Sequence, residues 1–221
     1  MGAGYLGGAY FFIRVLTAKE WHRVAPGFLP VTSFTWFMLA ATILHWDRFS
    51  HGRLGFQLWI ILYVITPLLV PFIWFRNRSA DPVQPKPNDL RVPSFLRWFT
   101  GLAGFLFLAV AVSFFIKPDL AINLWSWKLT PLTARVMAGW LSLLAVGAIV
   151  EARDSRWSAW RFEIGSFILW QGLVLAGSLF HLSDFFTPLN WFLVVTTLVL
   201  IGFITLYISM ESRYRALQRN L

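Results

Sequence analysis

Residues 28–45 read FLPVTSFTWFMLAATILH, an apolar run with no charged residue that ends on a histidine. The last seven positions, Leu39-Ala40-Ala41-Thr42-Ile43-Leu44-His45, recur 136 positions later as Leu175-Ala176-Gly177-Ser178-Leu179-Phe180-His181. The chain has only four histidines, so two of them fall at matched places. A charge-free run of about 20 residues is the length that spans a bilayer core as a helix. Continuous runs exclude the period-two pattern of a membrane barrel.

Working outward, further apolar runs lie at 3–16, 55–75, 95–116, 131–150, 162–182 and 188–209. With 28–46 they predict an all-α polytopic membrane protein of about seven transmembrane helices, the first one short. The composition agrees: 57% hydrophobic and 13% charged residues in 221 positions, more apolar side chain than a water-soluble domain can cover. The chain lacks cysteine, which excludes disulfides, thiolate catalysis and cysteine-bound metals. The net charge of +9 does not point to nucleic acid, because the basic residues sit in short loops between apolar runs.

Those loops set the expected orientation. With the N-terminus outside, fourteen of the nineteen Lys and Arg fall on the cytoplasmic side, including Arg14, Arg23, Arg76, Arg97, Arg153, Arg156, Arg161 and Arg215. Only Arg48, Arg53, Lys117, Lys128 and Arg135 remain outside. The positive-inside rule therefore predicts N-out and C-in in the cytoplasmic membrane. Residues 76–94, with four prolines, read as an extended cytoplasmic connector. The stretch 210–221 reads as a basic cytoplasmic tail.

Residues 20–49 laid over 156–185 pair Trp21 with Trp157, His45 with His181 and Phe49 with Phe185. Ala3-Gly4-Tyr5-Leu6 likewise matches Ala138-Gly139-Trp140-Leu141. The reading is a parallel 3+1+3 repeat: residues 1–75, a linker helix at 95–116, and residues 131–209. Equivalent spans are four apart, an even separation that makes the copies parallel, related by an axis along the membrane normal. The second copy also predicts more sequence before the short first span. This span count resembles the SWEET sugar transporters in architecture alone, since their proline-glutamine signature is missing.

Chemistry is expected along two stripes. Thr35, Thr42 and His45 have the same spacing as Gln171, Ser178 and His181, and at 100° per residue each trio shares one helix face. Asp184 lies one turn beyond His181, and Arg135 enters its span from the same outer side. Intramembrane polar groups face cavities or partners, so these eight residues form a candidate polar pathway. His45, His181 and Asp184 are weak metal candidates, and the two imidazoles could ligate haem. Glu163 reads as a helix-dipole residue, Glu151 as a local partner of Arg153, and His22 and His51 as solvated loop residues. Pro67 and Pro71 should kink or break their helix. Gly4 and Gly8 mark close packing.

No lysine in the last span serves a retinal, no pair of histidines one turn apart suits zinc, and no glycine loop cradles phosphate. No cofactor is expected. The best functional expectation is a small-solute transporter or permease, without enzymatic activity. A non-enzymatic accessory or assembly subunit of a membrane complex, with membrane-protein partners, is the first alternative; a haem or metal protein is the second.

Overall fold

A computed structural model describes residues 2–81, 89–186 and 191–219. Lys86 of the connector and residues 188–190 of the expected last span lie outside the described residues. Eight α-helices are present among the described residues: α1 (Gly2–Thr17), α2 (Phe28–Leu44), α3 (Leu54–Asn77), α4 (Ser94–Ile116), α5 (Pro118–Leu124), α6 (Pro131–Glu151), α7 (Trp157–Phe180) and α8 (Trp191–Arg219). Among the described residues, six segments are long and apolar enough to cross a membrane: Ala25–Leu44, Leu54–Ala80, Ser94–Ile116, Pro131–Glu151, Trp157–Phe180 and Trp191–Arg219. Helix α1 has 16 residues, about 24 Å at 1.5 Å per residue, short of the roughly 30 Å hydrocarbon core.

The outward faces settle the surroundings. Leu58, Ile61, Ile65, Leu68 and Phe72 on α3, Phe95, Trp98, Phe99 and Phe105 on α4, and Leu198, Ile201 and Ile208 on α8 are all exposed. An uninterrupted apolar belt of that size is incompatible with water and natural in lipid.

Helix α6 is the hub. It packs on α2 and, most closely, on α4, while α1 packs on α7, α2 on α3 and α7 on α8. Small residues permit these approaches. A Cβ on Gly104 of α4 would come within 2.9 Å of the Ala145 carbonyl oxygen of α6, and one on Gly139 of α6 within 2.8 Å of Met38. On α1 the close contacts are at Gly4, against the Trp140 ring, and Gly7, against Trp170; Gly8 faces open space. Of the expected pair, Gly4 packs closely and Gly8 does not; Gly7 takes its place.

Of the kink or break expected at Pro67 and Pro71, the break does not occur: helix α3 runs continuously through both. The connector is held by backbone pairing: Val92 N–H donates to the Ser155 carbonyl and Trp157 N–H to the Leu90 carbonyl. Helix α7 therefore starts at Trp157, five residues before the expected 162. At the opposite end, α6 opens on a Thr130–Thr133 capping box with Pro131 in its first turn, a preorganised N-terminus.

All the helix ends rich in arginine gather at one end of the bundle. Here Arg156 is buried and donates to both carboxylate oxygens of Asp81, at 2.6 and 2.9 Å, and also to Asp154. Arg97 donates from its Nε to the Ala152 carbonyl and from its Nη2 to the Arg153 carbonyl, satisfying the frayed C-terminus of α6.

Candidate functional site

The expected polar pathway divides between two different environments. On α2, Thr35 is buried and donates to the Thr32 carbonyl, and Thr42 is buried, donates to the Met38 carbonyl and accepts from Trp59 Nε1 at 2.9 Å. His45 follows α2, where Arg135 of α6 donates to its Nε2 at 2.7 Å. Arg135 also donates from Nε to the Phe115 carbonyl at the end of α4. A guanidinium only donates, so His45 is the acceptor and carries its proton on Nδ1. Burial and the Arg135 charge together push His45 below its ordinary value. Thr42, His45 and Arg135 thus tie α2, α3, α4 and α6 together at the end of the bundle opposite the arginine-rich one.

On α7 the matching trio is looser. Gln171 and Ser178 are half-buried, and His181 pairs with Asp184 at 3.3 Å with both side chains about two-thirds exposed or more, 71% and 67%. The structure does not bring Gln171, Ser178, His181 and Asp184 into the cluster around His45. Among the described residues no group of three or more His, Cys, Asp or Glu converges as a metal centre requires.

The densest buried polar chemistry lies at the arginine-rich end. His22, read from sequence as solvated, is buried and only 4% exposed. Its Nε2 lies 3.1 Å from Ser158 Oγ, and Ser158 donates in turn to Asp89. With the serine proton committed to Asp89, His22 Nε2 must be the donor to Ser158. The order Asp–Ser–His differs from a hydrolase triad, in which the histidine lies between the other two. The serine is a link and not a nucleophile. His51, by contrast, is exposed, stacked on Trp46 and bonded to the Trp46 carbonyl.

Glu211 of α8 is buried and gathers three donors: Trp157 Nε1, Arg161 and Arg215. Glu151 of α6 does not pair with Arg153 as expected. Its carboxyl lies instead beside that of Glu163 on α7. Glu163 Oε1 is buried with no hydrogen-bond partner, and Oε2 faces Gly147 of α6 at the place where Pro30 of α2 also approaches. Among the described residues no basic side chain pairs with either carboxyl. Sequence reasoning missed this pair because Arg153 and Arg161 stand beside these glutamates in the chain but turn to other partners in space.

A chain whose described residues form six bilayer-length apolar helices with a lipid-suited belt is a membrane-embedded protein. Beyond that class the comparisons add nothing: no family model, no curated protein and no solved structure matches the chain.

Proposed function

We propose that the protein is a small-solute transporter of the cytoplasmic membrane, made of two parallel three-helix units, α1–α3 and α6–α8, and coupled to protons at Glu151 and Glu163. The carboxyl pair is the observation that carries this reading. An ionised carboxylate can only accept a hydrogen bond, so two neighbouring buried carboxyls without a basic partner stay together by sharing a proton. Ionisable groups buried in a membrane bundle without a counter-charge are costly, and proton relays are their best-known use. The orphaned Oε1 of Glu163 leaves one acceptor position for the proton to move to.

The duplicated units are supported by matched backbones. His45 has φ −124° and ψ 31°, His181 φ −119° and ψ 35°, and each is followed by a three-residue 3₁₀ turn, Trp46–Arg48 and Leu182–Asp184. Contacts between equivalent positions point the same way. Tyr5 touches Trp140, with ring centroids 5.3 Å apart, and His22 touches Ser158; these are matched positions of the two copies. Equivalent residues meet each other only where an axis relating the units passes. In the same frame the arginine-rich end faces the cytoplasm.

The test uses proteoliposomes with a pH-sensitive dye inside and a panel of sugars, amino acids and organic cations outside. The expected result is that one solute class drives proton movement, and that Glu163→Gln abolishes the proton signal in a protein that still inserts and folds. Proton movement that survives the Glu151→Gln, Glu163→Gln double substitution sinks the coupling role. If no solute moves and a stoichiometric membrane partner co-purifies, the accessory-subunit reading replaces transport.

A further inference from the structure

We propose that the groove between α1, α7 and α8 binds an anionic phospholipid, with the acyl chain along Tyr10, Ile168, Ile204 and Tyr207 and the phosphate at Arg14 and Arg161. The groove encloses about 420 Å³ and is open to the outside of the bundle. Its walls are apolar and come from all three helices: Tyr10 from α1, Ile168 from α7, and Ile204 and Tyr207 from α8. Its floor is low because Gly165 has no side chain; a Cβ there would meet the Tyr10 hydroxyl at 3.1 Å. In a membrane an open apolar groove on the lipid-facing side is filled by hydrocarbon, which fixes the class of one end of the occupant.

The other end is fixed by charge. Four residues on from Tyr10, and so one turn nearer the arginine-rich end on the same face, stands Arg14. Four residues before Gly165, and one turn toward the same end, stands Arg161. The two guanidinium carbons lie 4.4 and 5.5 Å from the ring centroid of the same Phe162, so both cations stand beside one ring. The Nε of Arg14 and the Nε of Arg161 are each buried with no hydrogen-bond partner.

Arg161 shares Glu211 with Arg215, whereas Arg14 has no acidic partner among the described residues. Three arginines against one carboxylate leave a positive site at the mouth of a hydrocarbon slot. Guanidinium forks suit phosphate oxygens, and the depth is that of a headgroup layer beside the last turns of the helices.

The experiment is native mass spectrometry of the protein released from micelles containing equal phosphatidylglycerol and phosphatidylcholine. The wild type should retain one phosphatidylglycerol in clear preference. Arg14→Gln should lower that preference roughly fivefold, the effect of one arginine near a lipid surface, while Arg219→Gln on the tail leaves it unchanged. Ile204→Trp, which fills the groove and keeps every arginine, should lose the bound lipid altogether. If Arg14→Gln fails to fold, that groove variant decides. Equal retention of the two lipids by the wild type, equal effects of Arg14→Gln and Arg219→Gln, or a protein bound in place of lipid overturns the proposal.

Discussion

Gly104 and Gly202 look alike in sequence, each a glycine inside an apolar helix, but they meet different neighbours. A methyl group at Gly104 would press on the backbone of α6, at 2.9 Å from the Ala145 carbonyl oxygen and 3.0 Å from the Ile149 nitrogen. Backbone of a packed helix cannot move aside as a flexible side chain can. Gly104→Ala should therefore destabilise by about 1–3 kcal/mol, as overpacking does. Nothing lies within 4 Å of the same position on Gly202, so Gly202→Ala should be neutral or stabilising by up to about 1 kcal/mol through helix propensity. Denaturant unfolding of the two variants in detergent separates these outcomes.

The twin histidines make the same point with polar groups. His45 accepts from Arg135 in a half-buried joint, whereas His181 and Asp184 form a largely exposed pair. His45→Ala should cost about 1–3 kcal/mol, the range for a hydrogen bond to a charged group, and His181→Ala should stay within about 0.5 kcal/mol. Equal losses would mean that the α7 histidine has an interior partner. The sequence pattern placed both histidines correctly at the ends of their helices. It could not tell their surroundings apart, because each depends on a helix that comes from elsewhere in the chain.

Among the elements, those lying in lipid were the most readable. Expected runs at 28–46, 55–75 and 95–116 correspond to α2, α3 and α4 within about two residues per end, because a charge-free run in a bilayer must be helical whatever its neighbours do. The elements at the arginine-rich end were read less well, for the opposite reason. Arg161 and Glu163 looked like the border of a span, yet α7 carries both inside it, since Glu211 and Glu151 are there to meet them. Helix α8 runs on to Arg219, so the basic tail after the apolar run ending at 209 extends the last helix, with Glu211 and Arg215 pairing along it. Helix α5 was missed because seven residues after Lys117 give too little periodicity to stand out from a loop.

The segment from Asp89 to Val92 has its own consequence. It is latched onto the start of α7 through Asp89, Ser158 and His22. Burial, and then the Arg156 charge, hold His22 below its ordinary value, with Arg23 acting in the same sense and Glu20 and Asp81 opposing. The neutral ring is therefore favoured by folding. Its contribution is present above the ordinary histidine value of 6.5 and is lost as pH falls through the lower folded value. Acidifying from about pH 7 to about pH 5 should lower the melting temperature of the wild type more than that of His22→Gln. Parallel acid profiles for the two proteins would show that the latch does not sense protons.

At the scale of the molecule, the point where α2, α6 and α7 converge decides how the bundle is to be understood. Pro30 and Gly147 leave room there for Glu163, and Glu151 closes it. Two states of the pair make opposite predictions for stability, independent of any transported solute. If the pair shares a proton, a glutamine at 163 replaces a hydrogen-bond donor by another donor of the same size, and unfolding free energy at neutral pH should change by less than about 1 kcal/mol. Glu163→Leu would then leave the buried Glu151 carboxyl unpartnered and should cost about 1–3 kcal/mol. If instead both carboxyls were ionised, their repulsion in a dry site would dominate, and Glu163→Gln and Glu163→Leu would both raise stability. The ordering of the three proteins in one unfolding series is thus a direct reading of the proton, and the shared-proton arrangement requires wild type and Glu163→Gln together, with Glu163→Leu well below them.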